Sequence, residues 1–107
     1  MPHLFKTVVV VALLASPALA QDRGKWFKSL RTPKGGSCCD LSDCAPTHAW
    51  EYRDGHWWAE VRGQMVQIPP GRVLSREPFP WDPEQAVVCA RPSDRYIYCF
   101  IPPAIGN

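Results

Sequence analysis

The chain has 107 residues, with 12 Lys and Arg against 10 Asp and Glu, and it contains five cysteines, five tryptophans and twelve prolines. This length accommodates one small domain. The formal net charge of +2 is too small for a nucleic-acid-binding surface, so no nucleic-acid partner is expected.

The first twenty residues, MPHLFKTVVVVALLASPALA, have the pattern of a bacterial signal peptide. A short start that includes Lys6 precedes the apolar run 7–15, and Ala18-Leu19-Ala20 forms a small-x-small cleavage site. The apolar run is too short to cross a bilayer, which takes about 20 residues, and no later segment is long or apolar enough. We therefore expect cleavage after Ala20 and a periplasmic or secreted protein with no transmembrane segment.

Residues 21–37 form a basic arm with a net charge of +4, whereas residues 38–107 have a net charge of −3. Within the arm, the sequence GKWFKSLR fits about two helical turns, with Trp26, Phe27 and Leu30 on one face. A helix this short is marginal on its own, so we expect it to dock on its own domain. The positive side chains of the arm are either simply solvated or attracted to an anionic envelope surface or an acidic partner.

The segment SCCDLSDC brings Cys38, Cys39 and Cys44 close together in the sequence, and Cys89 and Cys99 follow near its end. In a small exported domain such cysteines predict disulfides, although two adjacent cysteines are strained partners for each other. We predict that two of the three N-terminal cysteines bond to Cys89 and Cys99, and that each bond contributes about 4 kcal/mol to stability. The fifth cysteine, for which Cys44 is the candidate, is left unpaired and offers a route to a covalent dimer.

An alternative use of this segment is metal binding or thiol chemistry by Cys38, Cys39, Cys44 and His48. Thiolate and imidazole ligands suit zinc, but the spacing matches no strong zinc signature, and thiolates of exported proteins are normally oxidised. The sequence contains no Cys-x-x-Cys motif, and no loop typical of an oxyanion hole accompanies Cys44 and His48. We therefore predict no metal, no cofactor and no catalytic residue.

The stretch from Ala49 to Pro69 predicts a three-stranded antiparallel meander. Asp54-Gly55 is a strong two-residue hairpin signal, and Arg62-Gly63 is a weaker one. Both turns give registers with the same alternation of side chains, so one face of the sheet is apolar and the other is polar. The apolar face holds Trp50, Tyr52, Trp57, Ala59, Val61, Val66 and Ile68.

Trp58 is the exception on the polar face of this meander. If it is exposed, it forms with its neighbours an aromatic and cationic patch suited to a glycan or protein partner. The residues of this candidate binding patch are Arg53, His56, Trp58 and Met65. The interpretation that we favour is that Trp58 is covered as a second small core, either by the aromatic residues of the arm or by the proline-rich loop 76–83. Phe79 and Trp81 of that loop are expected to turn inward.

A second hairpin is predicted near the end of the chain, with the strands AVVCA and RYIYCF joined by RPSD. Pairing Ala90 with Arg95 places Cys89 and Cys99 on opposite faces of the sheet, unless a bulge shifts the register. Each of these cysteines would then reach a different cysteine of the SCCDLSDC segment.

The stretches WFKSLR, GGSCCDLSDC, DGHWWAEV, IPPGRVL and YIYCFIPP together resemble an uncharacterised family of small exported cysteine-containing proteins of alphaproteobacteria. The resemblance covers nearly the whole chain after the signal peptide. It implies export and a single domain, and it brings no activity, cofactor or catalytic residue.

These observations predict a mainly β fold, a small antiparallel sheet or partial barrel made of the meander and the C-terminal hairpin. The domain is disulfide-stabilised and follows a short helical arm. The predicted organisation is a signal peptide at 1–20, a basic arm and hinge at 21–37, and a single β domain at 38–107. The function that this favours is a non-enzymatic module that binds a protein or cell-envelope partner.

Overall fold

A computed structural model describes residues 16–40 and 42–104. The elements are α1 (Ser16–Lys28), β1 (Asp43–Thr47), β2 (Trp50–Arg53), β3 (His56–Val61), β4 (Gln64–Gln67), a 3-10 turn (Pro70–Arg72), β5 (Ala86–Ala90) and β6 (Ile97–Ile101). The strands form two antiparallel sheets of three, in the orders β1-β5-β6 and β2-β3-β4. The predicted class, a small antiparallel β fold with a helical arm, is confirmed. Within the described ranges, no helix has the length and apolar character that a membrane span requires.

Both predicted turns of the β2-β3-β4 meander are confirmed. The φ angles of Asp54 and Gly55 are +53° and +77°, and those of Arg62 and Gly63 are +47° and +85°. Two successive positive φ angles define a type I′ turn, whose twist matches that of the strands it joins. The strands pair in the registers that these turns predict, so the apolar face of the meander points to the core.

The β5–β6 hairpin differs from its predicted register. Ala90 pairs with Ile97 rather than with Arg95, and a bulge between Cys89 and Ala90 then brings Cys89 directly opposite Cys99. The prediction that these cysteines lie on opposite faces is therefore wrong. The bulge is the physical reason, because side chains alternate along a strand and one inserted residue exchanges the faces.

Asp94 shapes the loop of this hairpin. Its carboxylate accepts two hydrogen bonds from the Arg91 guanidinium, at 2.9 and 2.7 Å, and one from the backbone N–H of Tyr96 at 3.0 Å. The bonds from Arg91, followed by the one from Tyr96, lower the pKa of Asp94 to about 2. The guanidinium of Arg62, in the second turn of the meander, donates to the carbonyl oxygens of Arg91 and Asp94. The loop is thus also joined to the other sheet.

Strand β1 was missing from the predicted elements. It pairs antiparallel with β5 at the edge of the sheet, with Pro46 opposite Val87 and Cys44 opposite Cys89. A proline is tolerated in an edge strand because it removes only one potential donor of the ladder. In the sequence, however, that proline gives the segment the appearance of a loop.

Strand β5 is buried on both faces and is the middle strand of its sheet. Between the two sheets lies a first core, made of Ala59, Val61, Ile68, Ala86, Val88, Ala90, Ile97 and Phe100. On the other face of β1-β5-β6 lies a second core, made of Leu30, Cys38, Phe79, Val87, Cys89, Cys99 and Ile101, with Trp26, Phe27 and Trp81 packed against it. The outer face of β2-β3-β4 points away from both cores.

The arm docks on the β1-β5-β6 sheet, as predicted. Leu30 is fully buried, and Trp26 stands edge-on to Phe79 with 5.2 Å between the ring centroids. The backbone N–H of Cys38 donates to the carbonyl of Leu30 at 3.0 Å, which joins the end of the arm to the cysteine segment. Burial of Phe79 also confirms that the proline-rich loop turns its aromatic residues inward.

Helix α1 extends further toward the N-terminus than the predicted arm. It begins at Ser16 and runs through the position after Ala20 where cleavage is expected. The rest of the predicted signal peptide, residues 1–15, lies outside the described residues.

Candidate functional site

Two disulfides join the cysteine segment to the last hairpin, as predicted. Cys38 bonds to Cys99, and Cys44 bonds to Cys89. The unpaired cysteine is Cys39 and not Cys44. The reason is the unpredicted strand β1, because its pairing with β5 places Cys44 directly opposite Cys89.

The Cys39 thiol lies between the arm and a disulfide. Its Sγ is 3.2 Å from the carbonyl oxygen of Phe27 and 2.8 Å from the Sγ of Cys44. Burial, and secondly the negative charge of Asp40, raise the pKa of Cys39 above its usual value. The group is therefore a protonated thiol at neutral pH, with two acceptors for its single proton.

Three sulfur atoms meet at this point of the molecule. The Sγ atoms of Cys39, Cys44 and Cys89 all lie within 4.8 Å of one another. Cys89 is fully buried, whereas Cys39 and Cys44 are half-buried. A thiol in contact with a disulfide is the arrangement from which thiol–disulfide exchange starts.

The four residues of the alternative metal site do not converge in this disulfide-bonded form. Cys38 and Cys44 are bonded to other cysteines, and the Nε2 of His48 lies 2.8 Å from a carboxylate oxygen of Asp82. Together with Glu84, this pair brings three potential ligand atoms within 4.8 Å of one another on the surface. His48 thus contacts the loop that precedes β5, and it does not contact the cysteines.

The outer face of β2-β3-β4 carries the candidate binding patch. The Arg53 guanidinium lies over the ring of Trp58, with its carbon 4.1 Å from the ring centroid. A carboxylate oxygen of Glu51 accepts from Arg53 Nε at 2.8 Å and holds the guanidinium in place. Met65 is exposed on the neighbouring strand, and His56 Nδ1 lies 3.1 Å from the Asp54 carbonyl. The structure therefore places all four predicted patch residues on or beside one sheet face.

The indole N–H of Trp58 is a buried donor that has no hydrogen-bond partner among the described residues. The interpretation favoured from the sequence, in which aromatic residues of the arm or the loop cover Trp58, is wrong. Trp26, Phe27, Phe79 and Trp81 pack against one another in the second core, beyond the β1-β5-β6 sheet. What covers the Trp58 ring is the side chain of Arg53.

The structure also contains two clefts beside the sheets. One, of about 270 Å³, lies where Ala45 and Val88 of one sheet face Val61 of the other. The second, of about 220 Å³, is lined by Tyr52 and Trp57, among others. Sequence reasoning missed both clefts, because the first is lined by the unpredicted strand β1 and the second by the meander together with the segment that follows it.

Comparison with known proteins assigns no family or function to the chain. No protein-family model, no curated protein and no solved structure matches the chain.

Proposed function

We propose that this protein is an exported, disulfide-stabilised binding module without enzymatic activity, which contacts a protein or cell-envelope partner through the outer face of β2-β3-β4. The observation that carries this proposal is Trp58 on that face, covered by Arg53 and with an indole N–H that finds no acceptor within residues 16–40 and 42–104. A buried donor without a partner is costly, by about 1 to 3 kcal/mol. A partner that brings an acceptor and displaces the side chains that shield the indole N–H would remove this cost.

The chemistry of the face supports contact with a macromolecule. Tryptophan, arginine and methionine are enriched in the cores of protein–protein interfaces, and tryptophan and arginine dominate their binding energy. Here Arg53 is already ordered by Glu51, so that little side-chain entropy is lost on binding. Exposed Met65 adds an adaptable apolar contact next to this ordered pair.

Export is supported by the signal-peptide pattern of residues 1–20 and by the disulfides, which persist in oxidising compartments. The resemblance to small exported alphaproteobacterial proteins points the same way. Exposed Lys25 and Lys28 on the docked arm add a basic surface that favours an anionic envelope component. The half-buried Cys39 is the group through which a covalent dimer would form.

The test is site-specific photo-crosslinking in the bacterial cell that produces the protein. A benzophenone amino acid replaces Met65 on the proposed face, or Ser93 at the exposed tip of the β5–β6 loop as a matched control. We expect the processed protein in the periplasmic or extracellular fraction and a discrete adduct from position 65 only. Adding Trp58→Ala should abolish the adduct, whereas Glu77→Ala, at an exposed position of the loop 76–83 and away from this face, should leave it.

Three results would overturn the proposal. Equal adducts from both positions would mean that the contacts are not specific to this face. No adduct from position 65 would mean that the face has no partner. Retention of the uncleaved chain in the cytoplasm would refute export.

A further inference from the structure

We infer that Cys39, Cys44 and Cys89 form an internal thiol–disulfide exchange site, in which Cys39 displaces Cys89 from Cys44 and the free thiol moves from half-buried Cys39 to fully buried Cys89. This inference goes beyond the binding function and does not depend on it. It concerns the chemistry of three residues on the face of β1-β5-β6 that the arm covers.

The geometry identifies which sulfur is attacked. The Cys39 Sγ lies 2.8 Å from the Sγ of Cys44, which is well inside ordinary van der Waals contact. Cys89 is the bonding partner of Cys44 and completes the cluster of three sulfur atoms within 4.8 Å. The nucleophile and its target are therefore in contact before any movement of the backbone.

The step is balanced without an external oxidant or reductant. Cys39 gives its proton to solvent, and the thiolate attacks the Sγ of Cys44. The Cys39–Cys44 bond forms as the Cys44–Cys89 bond breaks, and the electron pair of the broken bond leaves on Cys89. Cys89 then takes up a proton, so that one thiol and one disulfide are present both before and after the step.

Contacts with the arm hold the site in its Cys44–Cys89 form. The carbonyl of Phe27 accepts from the Cys39 thiol at 3.2 Å and thereby favours the protonated, unreactive state. The leaving group, Cys89, is fully buried in the core that Trp26 and Phe27 help to cover. A thiolate formed there is disfavoured by desolvation.

Displacement of the arm removes both of these restraints. Cys39 loses its carbonyl acceptor, and Cys89 becomes accessible to solvent as a leaving thiol. Exchange toward the Cys39–Cys44 bond should then proceed, and strand β1 should lose its covalent bond to β5. Which of the two disulfides is present, Cys44–Cys89 or Cys39–Cys44, therefore depends on whether the arm is docked.

Peptide mapping distinguishes the two disulfide isomers directly. Tryptic cleavage after Lys34, Arg53, Arg76 and Arg95 leaves the three N-terminal cysteines together on residues 35–53, Cys89 on residues 77–95 and Cys99 on the last peptide. In the Cys44–Cys89 isomer all three peptides are joined. In the exchanged isomer, residues 77–95 are released with an alkylated Cys89, and residues 35–53 contain an internal bond.

The experiment blocks the thiols of the purified full chain with N-ethylmaleimide before digestion. For the unchanged protein we expect alkylation at Cys39, with a small released fraction of peptide 77–95. The Phe27→Ala variant should increase that released fraction by about tenfold, since the leaving thiol becomes accessible. Lys28→Ala, an exposed position on the same helix, serves as the matched control and should leave the fraction unchanged.

A Cys39→Ser variant separates exchange from unfolding. It should release no alkylated peptide 77–95, even in combination with Phe27→Ala. Release from this variant, or no increase in Phe27→Ala, would refute the exchange.

A second variant keeps the inference testable if Phe27→Ala does not fold. In Cys89→Ala, with oxidised glutathione supplied, we expect Cys39 and Cys44 to bond to each other and to resist alkylation. Glutathione adducts on both cysteines, or two alkylated thiols, would show that the two sulfurs do not meet and would refute the inference.

Discussion

Removal of the Cys38–Cys99 disulfide should remove a large part of the domain's stability. The bond closes a loop with a sequence separation of 61. In the chain-entropy account a loop of this length contributes about 4 kcal/mol at 25 °C. Small domains have a total free energy of unfolding of about 5 to 15 kcal/mol. We expect Cys38→Ala with Cys99→Ala to leave a protein that is folded only marginally.

The comparison is made in a Cys39→Ala background, so that the remaining disulfide cannot rearrange. The Cys39→Ala chain keeps both bonds and serves as the reference. Urea unfolding is followed by tryptophan fluorescence and circular dichroism. With a slope of about 1 to 3 kcal/mol per molar urea, the midpoint should fall by roughly 1 to 4 M.

A loss of less than about 1 kcal/mol would refute this reasoning, since it is far below the range expected for a loop of this length. It would mean either that the bond does not constrain the unfolded chain or that the reduced state retains the native contacts of the second core. A mass gain of two hydrogen atoms on reduction of the double variant, against four for the reference, verifies that a single bond was removed.

Three further predictions follow from single residues. Leu30→Ala, at a fully buried position, should cost about 2 to 5 kcal/mol in urea unfolding; a cost of a few tenths would mean that the arm is not docked. Gly55→Ala should cost about 1 to 2 kcal/mol because φ is +77°, whereas Gly71→Ala, in equally open space without a positive φ, should be near neutral; equal effects would contradict the turn. The carboxyl of Asp94 should titrate by NMR at about pH 2 rather than 3.8, and Arg91→Ala should raise its midpoint. Because its folded pKa is lowered, Asp94 stabilises the loop above about pH 4 and loses this effect as the pH falls through 2; a midpoint near 3.8 in the unchanged protein would refute the Arg91–Asp94 contact.

The meander was predictable because its turns and strand registers are determined by residues close together in the sequence. Asp54-Gly55 is a strong signal for a two-residue turn and Arg62-Gly63 a weaker one, and the alternation of apolar side chains agrees with both registers. The burial of Leu30 and Phe79 was also predictable, since a short amphipathic helix and an aromatic proline-rich loop need a surface to cover.

The features that sequence reasoning missed depend on contacts between distant segments. Strand β1 exists because β5 offers it an edge, and Pro46 conceals it in the sequence. The bulge beside Cys89 is likewise invisible without its partner strand. Because β1 and the bulge together decide which cysteines meet, the number of disulfides was predictable but the identity of the free thiol was not.

For the patch residues, too, the local arrangement was predictable from the sequence and the contacts between distant segments were not. The alternation of side chains was sufficient to place Trp58 on the polar face, and the structure confirms that position. Which side chain covers the Trp58 ring was not predictable. The sequence does not show that the aromatic residues of the arm pack in the second core and so leave Trp58 to Arg53. Arg53, two residues before Gly55 in the same hairpin, proved to be the cover.

The positions of the disulfides relative to the meander bear on how the protein withstands proteases. Its two exposed turns, Asp54-Gly55 and Arg62-Gly63, lie between Cys44 and Cys89 and also between Cys38 and Cys99. A single backbone cut at either turn therefore leaves the two fragments joined by two covalent bonds. Such a cut produces a nicked molecule and not a separated pair, and the second core stays assembled because its cysteines are the ones that hold the fragments together.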